Sequence, residues 1–419
     1  MVSVLQMAGA IAGEMLNAFF VNYFFIVLYI LVILFIRGQY QKYSELQNDI
    51  YGKPAKTLRE ITEKIILTGL IAGFAASFLA VAAGITIETD AVRYLFYIMC
   101  LLLIVDLRFV CISYAAGILA AISLVFGYPK INIPSLLALV ALLQMVESIL
   151  VYTNRNGDCV PVFIRQKGEI TGAFLIRRYW MIPVVFFTMV LQSGVTALNL
   201  SGGWPMIFRP SAMESGAWAL GLDCLIAVLC YSDLAITKHP EIKCTQSAFM
   251  LFCYSAVLLV LSIFSINIPW IGYAGVVFCV VAHEGINFYS TFSEKRGVPL
   301  YNAVRRGLRV MDMLPDSHAK LMGLERGDVI LSINNNDIQT EEGVIEALKD
   351  YPTFTWIHVM GWDGKERTVE YRCFPGGYNM LGIISVPREK EVTYNTSYFE
   401  NMNILKNIVN RFRGMDRPI

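Results

Sequence analysis

The residues whose spacing most nearly spells catalysis are His283-Glu284-Gly285-Ile286-Asn287. In an H-E-x-x-H pair of helical turns, two histidines hold a zinc ion and the glutamate activates water for hydrolysis. Here asparagine stands where the second histidine would be, and its amide is a poor zinc ligand beside imidazole. The chain has only four histidines, and two of them, His318 and His358, fall in its polar final third. Metal-dependent proteolysis is not expected, and neither a metal nor a cofactor is assigned. His283 and Glu284 read instead as a polar pair at the headgroup end of the last apolar span.

Buried acids would point to a different chemistry, the passage of ions or protons. Glu147, Asp223 and Asp233 qualify by type, but Glu147 and Asp233 fall near span ends and only Asp223 sits deep. A transport site usually adds a repeated pair of helices broken by glycine or proline, and no such repeat stands out. Asp223 is therefore expected to make a structural contact between helices. The nine cysteines contain no C-x-x-C pair. Most lie in or beside apolar stretches (Cys100, Cys111, Cys224, Cys230, Cys253 and Cys279), and Cys373 alternates inward on a strand, so they are expected to be packing thiols. A formal net charge of +1 gives no footprint for nucleic acid.

A third constellation concerns binding. The run Gly307-Leu308-Arg309-Val310, then Leu314-Pro315-Asp316-Ser317-His318-Ala319, then Gly323-Leu324-Glu325-Arg326-Gly327-Asp328-Val329-Ile330-Leu331-Ser332-Ile333-Asn334 has a backbone logic throughout. Gly323 and Gly327 suit tight or left-handed turns, and Asp328 to Ile333 is a short apolar strand. Thr340 can cap a helix whose first turn carries Glu341 and Glu342 and whose apolar positions are Val344, Ile345 and Leu348. Thr355, Ile357 and Val359 alternate to one face, Asp363-Gly364 turns the chain, and Val369, Tyr371 and Cys373 alternate back. Leu381 to Val386 is expected to close the sheet.

This order resembles bacterial PDZ domains, and the resemblance implies capture of an extended peptide end by strand addition. The expected site is Gly307, Leu308, Arg309, Val310, Val344 and Leu348. A partner strand would pair near Leu308, its carboxylate would meet backbone N–H groups around Gly307, and Leu308, Val310, Val344 and Leu348 would form an apolar pocket. Arg306 or Arg309 would add charge attraction. Alternatively, the chain's own tail fills the groove.

The rest of the chain must position this module. Hydrophobic residues make up 56% of the sequence, and apolar stretches of about twenty residues are membrane spans by bilayer thickness. Spans are expected near Ala18 to Ile36, Ile65 to Ile85, Val92 to Val105, Phe109 to Phe126, Ile133 to Tyr152, Trp180 to Leu198, Trp218 to Ile236, Ser247 to Ile266 and Pro269 to Phe288. Asp106 and Arg108 interrupt the third and fourth, and the first seventeen residues could lie along the interface. No Lys or Arg precedes Arg37, so the basic flank of a signal peptide is missing and the first span is expected to be retained. Basic residues gather at Arg37 to Arg59, Arg155 to Arg178, Lys238 to Lys243 and Lys295 to Arg306. By the positive-inside rule these segments and the PDZ-like domain are cytoplasmic, whether the spans number eight or nine.

The expected fold is thus an α-helical polytopic transmembrane bundle (1–290), then a small α/β, mainly antiparallel β, PDZ-like domain (296–388), then a tail (389–419). In the tail Phe399, Met402, Leu405, Ile408, Val409 and Phe412 recur at helical spacing behind a Ser397-x-x-Glu400 capping box. It would dock on the PDZ-like domain or lie on anionic lipid.

Domain order, Phe163-Ile164-Arg165-Gln166-Lys167-Gly168 leading to Arg177-Arg178-Tyr179-Trp180-Met181-Ile182-Pro183, and the late Leu381-Gly382-Ile383-Ile384 strand together resemble the MinJ family of topological determinants of cell division in Gram-positive bacteria. The resemblance implies a non-catalytic adaptor in the bacterial plasma membrane, at the septum or pole, that links a DivIVA-like scaffold to a MinD-like ATPase. Self-association of the spans stays open. A second expectation from the same residues is a PDZ-bearing membrane factor for protein quality control or secretion, with a degenerate protease-like site.

Overall fold

A computed structural model describes residues 4–52, 56–106, 109–166, 169–191, 206–208, 218–314, 317–350, 354–371 and 381–386. Six helices come first: α1 (Val4–Phe20), α2 (Tyr23–Tyr51), α3 (Leu58–Ala83), α4 (Thr89–Val105), α5 (Ile112–Phe126) and α6 (Ile133–Thr153). Three strands follow, β1 (Val160–Gln166), β2 (Glu169–Leu191) and β3 (Trp218–Ala235), then α7 (Pro240–Ser265) and α8 (Pro269–Arg296). Helices α2, α3, α6, α7 and α8 are long and apolar enough to cross a membrane. At about 1.5 Å per residue, α4 and α5 fall short of a 30 Å hydrocarbon layer, because the chain breaks at Asp106.

The segments expected to be the sixth and seventh helical spans are strands instead. β3 is 18 residues long and pairs antiparallel with β2 from Phe174↔Ala235 to Leu191↔Trp218. The sequence around Met181-Ile182-Pro183-Val184-Val185-Phe186-Phe187 is β-branched and aromatic, and Pro183 would cost a helix one of its hydrogen bonds. Buried on both faces, such a run shows no alternation, so periodicity does not separate it from a buried helix. Ile182, Val184, Val185 and Phe186 have no solvent exposure at all.

A sheet edge inside a membrane region needs its backbone satisfied by protein. β1 pairs with β2 only as far as Val160↔Leu175, so β2 is an edge beyond that point, and there Pro183 is tolerated. α3 covers this edge. A Cβ on Gly69 would lie 2.0 Å from the Met181 carbonyl oxygen, and one on Gly73 would lie 2.3 Å from that of Pro183. One turn on, Ser77 Oγ accepts from the Val185 N–H at 2.8 Å and donates to the Gly73 carbonyl at 2.6 Å. The segment after α3 completes the cover, with Phe187 N–H donating to Ile85 O (3.1 Å) and Ile87 N–H to Phe187 O (2.8 Å). Small residues at four-residue spacing thus seat a helix directly on a strand backbone.

The last part of the chain adds β4 (Tyr301–Asn302), β5 (Leu308–Met313), α9 (His318–Leu321), β6 (Val329–Ile333), β7 (Asn336–Asp337), α10 (Glu341–Asp350), β8 (Thr355–Met360), β9 (Glu366–Tyr371) and β10 (Ile383–Ser385). Its sheet runs β10-β5-β6-β8-β9, with β7 on β6. The core of this unit joins Leu308, Val310, Leu324, Ile330, Ile333, Val344, Leu348, Ile357, Val359 and Leu381. Cys373 and the tail pattern from Phe399 to Phe412 lie outside the described residues.

The unit is seated on the membrane region. β4 pairs with β2 at Thr171↔Asn302 and Gly172↔Tyr301. Tyr301, Met311 and Val386 belong to the same buried apolar cluster as Phe163 and Phe174. A Cβ on Gly172 would stand 2.7 Å from Met311 Sδ, so only glycine allows this approach.

Candidate peptide-binding site

The six expected site residues occupy two kinds of place. Leu308, Val310, Val344 and Leu348 do converge, but as filled core, with exposures of 3%, 0%, 4% and 2%. β5 is bonded on both sides, to β6 through Leu308↔Ile330 and to β10 through Ile383↔Met313 and Ser385↔Val310. β10 therefore takes one edge of β5 from Val310 to Met313, and Leu308 itself is paired on the β6 side. Gly307 has φ +89°, and a Cβ there would meet Ile330 O at 2.6 Å, which accounts for the glycine by close packing of β5 on β6.

The arginines also have structural work. Arg309 donates to Leu300 O at 3.1 Å, and its guanidinium lies 4.9 Å from the Trp362 ring centre. Burial holds its pKa below the ordinary arginine value. Arg306 is exposed and stands 3.6 Å from Asp337.

The edge beside the helix is β10. Among the described residues it pairs only with β5. It enters from a turn at Gly382 (φ +65°), where Leu314 N–H donates to Gly382 O (2.8 Å) and Ala319 N–H to Leu381 O (3.0 Å). Ser385 Oγ donates to Glu341 Oε1 in the first turn of α10, which sets that helix alongside the strand. Ile345, one turn after Glu341, shares its face and is 47% exposed. Leu381-Gly382-Ile383-Ile384 carried this signal in the sequence, where it looked only like a closing strand.

A charged and aromatic joint fixes this unit to the membrane region. Arg326 bonds Asp312 through two contacts, Nε to Oδ1 at 2.7 Å and Nη2 to Oδ2 at 3.2 Å. Tyr51, the last residue of α2, donates to Asp312 Oδ2 at 2.6 Å. Burial is the largest single influence on Arg326 and opposes its charge, but Asp312, Cys159 and Tyr51 together outweigh it and raise the guanidinium above its ordinary value. Trp362 donates to Arg326 O at 2.7 Å and lies edge-on to Tyr301 and His239 at 5.9 and 6.0 Å. Tyr301 OH meets His239 Nδ1 at 3.1 Å, and burial lowers the His239 pKa.

The other candidate groups lie away from the groove. His283 is 8% exposed partway along α8, which runs on to Arg296, so it is packed among neighbouring helices instead of standing at the helix end. Its Nε2 is 3.6 Å from Cys111 Sγ, and Glu284 accepts from Tyr114 OH at 2.5 Å. Asn287 donates to the same Tyr114 oxygen at 3.2 Å, and Gln144 donates to Glu147 at 3.1 Å. Among the described residues no three His, Cys, Asp or Glu side chains are grouped so as to hold a metal ion. Asp223 sits on β3 and accepts from Cys224 N–H at 2.8 Å, so it is not a helix-to-helix contact. Asp233 accepts from Ser290 (2.8 Å) and Ser247 (3.2 Å) and lies 3.7 Å from Lys243, which also pairs with Glu294 at 3.0 Å. Glu294 caps the end of β3 by accepting from Ile236 and Thr237 N–H at 2.8 and 2.7 Å. This buried network ties α7, α8 and β3 together. The eight described cysteines carry free thiols.

Comparison with known proteins places these features. The PDZ domain family model matches residues 309–352. The chain is 22% identical over 262 residues to the cell division topological determinant MinJ of Bacillus subtilis (strain 168), covering 62% of this chain and 63% of that protein. It is 29% identical over 84 residues to a probable cell division topological determinant MinJ of Lacticaseibacillus paracasei, covering 20% of this chain and 23% of that one. The chain therefore spans less than two thirds of the length of these relatives. No solved structure matches. A PDZ domain, apolar helices able to span a membrane and homology to division determinants are thus established together.

Proposed function

We propose that this protein is a non-catalytic membrane adaptor that captures a partner's extended peptide at β10 and so recruits division proteins to the place where a septum forms. The membrane region is taken as 1–290, the PDZ-like domain as 296–388 and the tail as 389–419. The observation that carries the proposal is the edge of β10 beside α10, in a unit held against membrane-spanning helices. A peptide adding to Ile383–Ser385 would gain main-chain hydrogen bonds, and a side chain turned toward α10 would meet Ile345. Leu308, Val310, Val344 and Leu348 support this groove from below, and Gly307 fixes the start of β5.

The basic segments that the positive-inside rule assigns to the cytoplasm join one another on the PDZ side, through Lys56–Asp158, Gln166–Lys295 and Tyr51–Asp312. A cytoplasmic PDZ-like domain follows from this orientation. The partners proposed are a DivIVA-like scaffold and a MinD-like ATPase, with the protein at the septum or pole. The test is photocrosslinking from position 345 in intact membranes, read by mass spectrometry. Crosslinks to division proteins support the proposal, and crosslinks only to uncleaved membrane substrates, with no division defect on deletion, would sink it.

A further inference from the structure

A second site lies on the membrane region, away from the PDZ groove. Between the far half of α2, the start of α3 and β2 is a cavity of about 70 Å³ whose lining includes Lys56, Lys64, Arg177, Arg178 and Asp158. Holding one water takes about 10–15 Å³, so the space suits a small tetrahedral anion and excludes a nucleotide. Four side-chain cations face a single carboxylate, and that carboxylate, Asp158, is engaged by Lys56 at 2.5 Å. Arg178 donates Nη2 to Asp158 O at a long 3.5 Å, while its buried Nε has no hydrogen-bond partner. A buried guanidinium N–H left in that condition costs free energy that an incoming acceptor oxygen would recover. The positive-inside rule accounts for cations on this side of the membrane, but not for their convergence on one cavity from β2 and from α3 with the segment before it.

A second feature adjoins the cavity. An apolar crevice between α2 and α3, lined by Ile33, Ile36, Ile61, Ile65 and Ile66, shares Tyr40, Ile61 and Ile65 with the basic cavity. Basic cavity and mainly apolar crevice adjoin, the crevice holding about 10 Å³, at the level where α2 passes from Ile36 to Arg37 and α3 from Lys64 to Ile65. That is the order of chemistry along a phospholipid.

We propose that this cavity binds a phosphate group, either the headgroup phosphate of an anionic phospholipid or a free phosphate anion. Arg178 supplies directed donors from β2, Arg177 beside it adds charge, and Lys64 and Lys56 supply charge from the α3 side. A bound phosphate would link α2, α3 and β2 at the end of the membrane region that carries the PDZ-like domain.

The full chain in detergent is titrated with dioleoyl phosphatidylglycerol, with dioleoyl phosphatidylcholine and with inorganic phosphate, binding being read by native mass spectrometry and by thermal shift. Wild type is expected to retain phosphatidylglycerol over phosphatidylcholine. Arg178→Gln should weaken retention roughly tenfold or more, as loss of a charge-assisted hydrogen bond implies. Lys64→Gln changes an exposed side chain without touching the core and should weaken it in the same direction. Arg59→Gln, on an exposed cation paired with Glu63, should leave retention unchanged. A thermal shift with inorganic phosphate that disappears in Arg178→Gln, without lipid preference, would support the site with free phosphate as its ligand. Equal binding by wild type, Arg178→Gln and Lys64→Gln for every probe, or an equal loss in Arg59→Gln, would overturn the proposal.

Discussion

Replacing Arg326 by glutamine should loosen the PDZ-like domain from the membrane region without unfolding either. Arg326 is 37% exposed, whereas its partner Asp312 is only 5% exposed and also holds Tyr51 of α2. An exposed ion pair contributes about 0.2–1 kcal/mol, and stranding a fully buried charge costs about 3–5 kcal/mol. With one partner exposed to water and the other buried, the loss belongs between these limits, at about 2 kcal/mol, and because both partners belong to the PDZ-like domain it falls on seating only so far as Tyr51 and the membrane region are what bury Asp312. Since about 1.4 kcal/mol is tenfold, the seated form should become at most roughly thirtyfold less favoured. Amide exchange over 169–175 and 300–302, where β2 meets β4, reads that equilibrium directly. Exchange there should accelerate in Arg326→Gln, while exchange over β6 and β8 in the PDZ core stays unchanged. Because Asp312 is the group left stranded, Arg326→Gln should do much less in an Asp312→Asn background. Equal effects in both backgrounds, or unchanged exchange in the single variant, would refute the claim that Arg326 favours the seated form by neutralising Asp312 beneath Tyr51.

Other consequences follow from the same contacts. Gly327 has φ +96°, and a Cβ there would stand 1.8 Å from Trp362 Nε1, so Gly327→Ala should destabilise the PDZ-like domain by about 2 kcal/mol or more in thermal unfolding. Gly73→Val should block the seating of α3 on Pro183 and appear as loss of the monodisperse peak in detergent chromatography, whereas Gly38→Val, in open space on α2, should not. His239 is kept neutral by burial, its pKa lying below the ordinary 6.5. The released state thus binds more protons, so seating is full above about pH 6.5 and declines as pH falls toward the depressed value. After correction for the slower intrinsic amide exchange at lower pH, the protection of 300–302 should fall between pH 7.5 and 5.5, and His239→Gln should flatten that fall.

Much of the PDZ-like unit was legible because its signals are local: glycines at positive φ, a capped amphipathic helix, and strands alternating about a turn. The peptide edge was not, because it depends on which strand ends up outermost. Leu308 begins a strand that looks like an edge in sequence, yet β10 arrives from seventy or more residues later and pairs with Val310 to Met313 of that strand. Likewise the β2–β3 hairpin is hidden by burial on both faces, which erases the alternation that would mark a strand. Pro183 and the small residues Gly69, Gly73 and Ser77 were the available clues, but their meaning depends on each other across more than a hundred residues. The polar contacts of His283 are also nonlocal, since its neighbours Cys111 and Tyr114 come from α5 and its N-terminal flank.

The central claim is that peptide capture occurs at β10 beside α10, and one paired comparison tests it. Full-length protein carrying Ile345→Lys or Leu308→Asp is compared with wild type by crosslinked pull-down from intact membranes, with folding of the PDZ-like domain followed by amide exchange. Ile345 is 47% exposed and Leu308 is 3% exposed, so the account predicts a folded Ile345→Lys protein that has lost its division partners and a Leu308→Asp protein whose domain is unfolded. A folded Leu308→Asp protein that has lost its partners, beside an Ile345→Lys protein that keeps them, would contradict it.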